Sequence, residues 1–142
     1  MRFMMVVIPK GYEAAKPGTL PETARVAEMM KYNESLQKAG VLLALDGLHP
    51  LSMGARVSFK SGKPTVTDGP FAEAKEVIGG YWMIQVKSKE EAIEWAKRAP
   101  MADNETIEIR QVLEFAEFPP EAHSAVAGFT EMQQRHAGMA KP

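Results

Sequence analysis

The sequence predicts an α+β domain with the ferredoxin-like order β-α-β-β-α-β and one inserted β-hairpin. Three observations lead there. Four short apolar or alternating runs are spaced along residues 2–112. Two segments with helical apolar spacing and helix-start signals follow the first and third of those runs. A further pair of alternating segments flanks Ser61-Gly62 and adds a hairpin beyond the four-strand order.

Arg2–Ile8 is a continuous apolar run and reads as a strand buried on both faces. A loop from Pro9 to Gly18 leads to a helix with Thr19 as N-cap, Pro21 in its first turn and Glu22 three residues after the cap. Val26, Met29, Met30, Leu36 and Ala39 form its expected apolar face, and Gly40 ends it. Val41–Leu45 is the second strand. Arg56–Phe59 and Thr65–Thr67 form the hairpin around Ser61-Gly62. Gly79–Val86 alternates Tyr81, Met83 and Gln85 against Trp82, Ile84 and Val86, so its two faces differ. Ser88 caps the second helix with Glu91 as its box partner. Ile93, Trp95, Ala96 and Ala99 face the core, and Pro100 stops the helix. In the last strand, Thr106–Val112, Ile107 and Ile109 point to the helices and Glu108, Arg110 and Val112 point away.

Both helices of this arrangement cover the same face of the sheet. The other face carries apolar and aromatic residues that need shielding from water, and a second copy packed sheet to sheet supplies it. A homodimer is therefore expected. Residues 1–117 form the expected domain. Residues 118–142 form a C-terminal extension set off by Pro119-Pro120, read either as a helix with an Ala122, Val126, Phe129 and Met132 stripe or as a weakly ordered segment.

Composition narrows the function classes. At 142 residues the chain can bury a real core. Its 17 basic and 18 acidic residues nearly cancel, which gives no electrostatic case for nucleic acid or an anionic membrane. The absence of cysteine rules out disulfides, thiolate catalysis and cysteine-bound metal, and fits a cytoplasmic location. No apolar run reaches membrane-spanning length.

The sharpest local signal is Thr67-Asp68-Gly69-Pro70-Phe71, followed by Ala72-Glu73-Ala74-Lys75-Glu76 and Gly79-Gly80-Tyr81-Trp82. Gly69 admits positive φ and Pro70 fixes its own, so the chain turns there and holds Asp68 and Phe71 on a stiff corner. This stretch resembles the signature of the DGPF branch of the YCII-related proteins, and the likeness runs from about Arg2 to about Leu113. The resemblance implies a dimeric α+β barrel with a cleft between sheet and loops. For the wider family it also implies an enzymatic role for an aspartate paired with a histidine on the first helix. No histidine lies between Glu22 and Ala39 here, and Met29 or Met30 takes the approximate position.

Asp68 has two readings. It is a general base or acid beside a cleft, or it accepts backbone N–H bonds within its turn. His49, in Asp46-Gly47-Leu48-His49-Pro50, either replaces the missing histidine from another direction or is a turn residue before proline. Arg110 is a candidate carboxylate anchor beside Glu108, unless both are solvated charges on an edge strand. Tyr81 and Phe71 are pocket candidates, alongside the weaker Tyr12 and Arg2, and otherwise fill a core or interface. No metal spacing, phosphate loop or nucleophile elbow is present, so no cofactor is expected. Gly79-Gly80 precedes a strand and reads as either a close backbone approach or a bulge.

Two functions follow. One is a cofactor-independent small-molecule enzyme, of isomerase or lyase type, with Asp68 and His49 as catalytic groups. The other is a non-catalytic ligand-binding or regulatory module, which the DGPF resemblance links to sigma-factor signalling. A structural dimer that binds nothing is a third.

Overall fold

The computed structural model describes residues 1–139, with side chains described to Arg135. It is α+β. Strands β1 (Arg2–Ile8), β2 (Leu42–Gly47), β5 (Gly80–Gln85) and β6 (Thr106–Gln111) form one sheet in the order β2-β5-β1-β6. Every neighbouring pair is antiparallel. With α1 (Thr23–Lys38) after β1 and α2 (Lys89–Lys97) after β5, this is the predicted ferredoxin-like topology. Strands β3 (Ala55–Lys60) and β4 (Lys63–Asp68) form the inserted hairpin as a separate two-stranded sheet. Ser61 and Gly62 both have positive φ, the two-residue turn geometry that matches strand twist.

The core lies between the sheet and both helices. Phe3, Met5, Trp82, Ile84 and Val86 meet Tyr32 and Leu36 of α1 and Ala92 of α2. Alternation sends Met4 and Val6 of β1, Tyr81 and Met83 of β5, and Glu108 and Arg110 of β6 to the opposite face. Both helices pack on the first face; on the second, Val6 is buried, Met4, Tyr81 and Met83 are half-buried, and Glu108 and Arg110 are exposed.

Three local expectations change. Thr19 does not cap α1, because its hydroxyl donates to the Lys16 carbonyl at 2.6 Å and closes a turn instead. Pro21 keeps Leu20 out of helical geometry, so the helix starts only at Thr23, with extended Glu22 before it. The buried stripe of α1 also differs. Tyr32 and Leu36 are buried and Met29 half-buried, whereas Val26, Met30 and Ala39 are exposed. Tyr32 belongs to the core because its ring meets Trp82 edge to face at 5.2 Å and its hydroxyl reaches the Trp95 carbonyl at 2.7 Å. In α2, Ser88 accepts the Glu91 N–H at 3.2 Å, but the Glu91 carboxylate returns to the Lys87 N–H at 2.9 Å, one residue before the cap.

The end of α1 follows expectation. Gly40, at φ 73°, lets its own N–H reach the Gln37 carbonyl and the Val41 N–H reach that of Leu36, at 3.0 and 3.2 Å. Those paired bonds satisfy the last helical carbonyls.

The chain divides into two compact units between Gln111 and Val112. The second contains helical turns at Phe115–Glu117 and Pro120–Ala122 and helix α3 (Phe129–Met139). Within it Phe118 and Phe129 meet edge to face at 6.5 Å, and Phe115 stacks on His123 at 5.1 Å. Ala122, Val126 and Phe129 are half-buried and Met132 is exposed.

Candidate functional site

The concave surface of the first unit lies along α1, where the helix faces the ends of β1, β2 and β5. One cavity of about 290 Å³ is walled by Val7, Val26, Met29, Met30, Leu45 and Trp82. A second, of about 490 Å³, is lined by Lys10, Tyr12, Leu20, Leu48, His49 and Glu105. Val7, Pro21, Arg25, Met29, Gly47 and Gly79 border both, so the two form one cleft.

The exposed apolar residues of α1 now have a place. Val26 and Met30 lie off the core stripe and wall the cleft, as does Met29. The floor is fixed by hydrogen bonds and tight backbone contact. Trp82 donates its indole N–H to Asn33 Oδ1 at 2.7 Å, and Leu48 N–H reaches the Gly79 carbonyl at 2.9 Å. A Cβ on Gly79 would lie 2.7 Å from the Pro9 ring, and one on Gly80 2.8 Å from the Asp46 carbonyl oxygen. The glycine pair thus provides the expected close approach.

Arg25 stands where the cavities meet, and its guanidinium is bonded to Glu105. The Glu105 side chain is 6% exposed, and the same oxygen also accepts the Ala102 N–H at 2.7 Å. Arg25 is thereby held in place with donors to spare. Tyr12 donates to the Leu48 carbonyl at 2.5 Å, and burial raises its phenol above the usual range.

The candidates read from the sequence are scattered. His49 is exposed and lines the second cavity. Asp68 ends β4, is exposed and lines neither cavity, so the cleft is not the one expected near Asp68. Gly69 has no positive φ. Its glycine is required by space, since a Cβ there would fall 1.8 Å from the Leu51 carbonyl oxygen. Phe71 lies under Arg56, whose guanidinium carbon is 4.0 Å from the ring centre, and it too lines neither cavity. Glu108 and Arg110 form a loose exposed pair, 3.6 Å apart, on the sheet face away from the helices.

Tyr81 and Asp46 border the first cavity, yet they are paired across β5 and β2 one position from Leu45 and Trp82. Alternation therefore turns their side chains to the sheet face away from the helices. There the Tyr81 hydroxyl donates to Asp46 Oδ2 at 2.8 Å, and this bond, with burial and the carboxylate charge, raises the phenol above its usual range. The sequence reading missed Arg25, Asn33, Asp46 and Glu105. The one available signal was that Val26 and Met30 extend the apolar surface of α1 beyond a single stripe. Among the described residues no group of three or more His, Asp or Glu side chains is placed to hold a metal, and no helix is long and apolar enough to cross a membrane.

Comparison with known proteins assigns residues 1–116 to the model of the YCII-related domain. An uncharacterised protein of Rhizobium meliloti (strain 1021) is 35% identical over 69 residues, which is 49% of this chain and 56% of that protein. The chain thus matches only about half the length of that relative.

Proposed function

Since the chain belongs to the YCII-related family, we propose that it is a ligand-binding protein of that family, whose α1 cleft takes a small organic anion with an apolar body. The observation that carries this reading is Arg25, a cation fixed by Glu105 at the junction of two cavities whose nearest walls are Val26, Met29, Met30 and Trp82. Apolar walls supply most of the binding surface of such sites, and one well-placed charge orients the ligand. A guanidinium suits a carboxylate or sulfonate because it offers a planar fork of donors.

Anilinonaphthalene sulfonate, an aromatic anion, is a suitable probe. It should bind saturably and quench Trp82. Val26→Trp, which fills the cleft from an exposed position, should abolish that quenching, and Asp68→Asn should leave it unchanged. Undiminished binding in Val26→Trp would remove the cleft from consideration.

The second reading, acid–base catalysis of isomerase or lyase type, is favoured by His49 at the rim of the same cleft. Asp68 and Arg110 would enter it only through a surface outside the two cavities. We also propose that the sheet face away from the helices, with the half-buried Met4, Tyr81 and Met83, is the interface of a homodimer. A regulatory role linked to sigma-factor signalling is consistent with binding without catalysis.

A further inference from the structure

All twelve residues of the β3–β4 hairpin are exposed, yet its two faces are chemically opposite. The register pairs Val57 with Val66 and Phe59 with Pro64, so these four share one face. Arg56, Ser58, Lys60, Lys63, Thr65 and Thr67 occupy the other. The apolar face is bounded at its root by Ala55 and Asp68. Phe59 is 75% exposed, Val66 67% and Val57 54%.

The hairpin is fastened to its own chain through its root and its polar face. Gly69 N–H bonds the Gly54 carbonyl at 2.9 Å, Gly69 lies against Leu51, and Arg56 covers Phe71. On the apolar face the side chains of Val57, Phe59 and Val66 stay more than half exposed. An isolated two-stranded hairpin is marginal in water, so a stable occupant of that face is needed.

We propose that the hairpin is a clasp, its Val57–Phe59–Pro64–Val66 face lying on a second copy of this chain. Two magnitudes select that occupant. Six residues per strand give an arm of about 20 Å, twice the spacing of about 10 Å between packed sheets, so it spans the gap to a partner sheet. The face presents about 400 Å², and two reciprocal arms with the surfaces they cover bury about 1,600 Å², the size of a stable interface. A single arm on an unrelated protein buries half of that. The clasp rests on the homodimer proposed above but uses a different surface.

The test uses the full-length chain. Wild-type protein should be a dimer by light scattering, and Phe59→Ser should weaken dimerisation by about 30-fold, the loss expected for a central aromatic anchor. A photoreactive benzoyl-phenylalanine at position 59, in an equal mixture of isotopically light and heavy chains, should give cross-links that join one of each. A dimer unaffected by Phe59→Ser, or cross-links confined to single chains, overturns the clasp and leaves the sheet dimer standing. A monomeric wild type overturns both.

Discussion

Gly69 packs against Leu51 so closely that a Cβ on Gly69 would fall 1.8 Å from the Leu51 carbonyl oxygen. That atom belongs to backbone, which cannot turn aside as a flexible side chain can. Gly69→Ala should therefore push the hairpin root off the turn at Leu51–Met53 and cost about 3 kcal/mol, the upper range of overpacking. Gly47, which has open space and no positive φ, is the control, and Gly47→Ala should change stability little. Chemical denaturation of both variants checks the contrast. Equal effects would mean that the corner yields.

The indole N–H of Trp82 is buried and has Asn33 Oδ1 as its acceptor at 2.7 Å. Asn33→Ala should destabilise the fold by about 1–3 kcal/mol, because a buried donor loses its acceptor. Trp82→Phe together with Asn33→Ala should cost less than the sum of the two single changes. A double-mutant cycle by thermal unfolding measures that coupling. Additive losses would show that the bond contributes nothing specific.

The fold was legible because its signals are local. Period-two alternation, Gly40 as a helix stop, Ser88 as a cap and Ser61-Gly62 as a turn each act within a few residues. The cleft was not legible because it depends on distant pairs. Arg25 meets Glu105 across 80 positions, and Trp82 meets Asn33 across 49. The DGPF corner illustrates the difference in kind. Its sequence announces a stiff turn, but only the approach of Leu51 shows that Gly69 is there for space. Nothing local says that Val26 and Met30 wall a cavity and do not join the core.

All three tyrosines of the chain hold their protons more tightly than usual. Burial pushes Tyr32 up to about 12, with Arg98 pulling weakly the other way. The bond to Asp46 leads for Tyr81, and burial alone acts on Tyr12. An acid whose pKa is raised by folding stabilises the native state fully below its ordinary pKa of 10. That stabilisation is lost as pH rises through the folded value. Stability should hold up to about pH 10 and fall between pH 10 and 12. Phenolate absorbance should rise later than in a denatured control, and Asp46→Asn should bring one tyrosine back toward the ordinary range. A titration that matches the denatured control would contradict this account.

Asp68 is the residue the sequence marks most strongly, and its carboxylate is exposed at the root of the hairpin. A turn-satisfying acceptor would cost about 1–3 kcal/mol on removal. An exposed side chain away from caps and cores changes stability by about 0.5 kcal/mol or less. The second value is expected for Asp68→Ala by urea unfolding at neutral pH. On the apolar hairpin face, Asp68 is also the one charge beside Val57, Val66 and Phe59, where it opposes further strand pairing. If the clasp covers that face, Asp68→Ala should leave dimerisation intact or tighten it slightly, while Phe59→Ser weakens it. A loss above 1 kcal/mol would return Asp68 to the architecture of the corner.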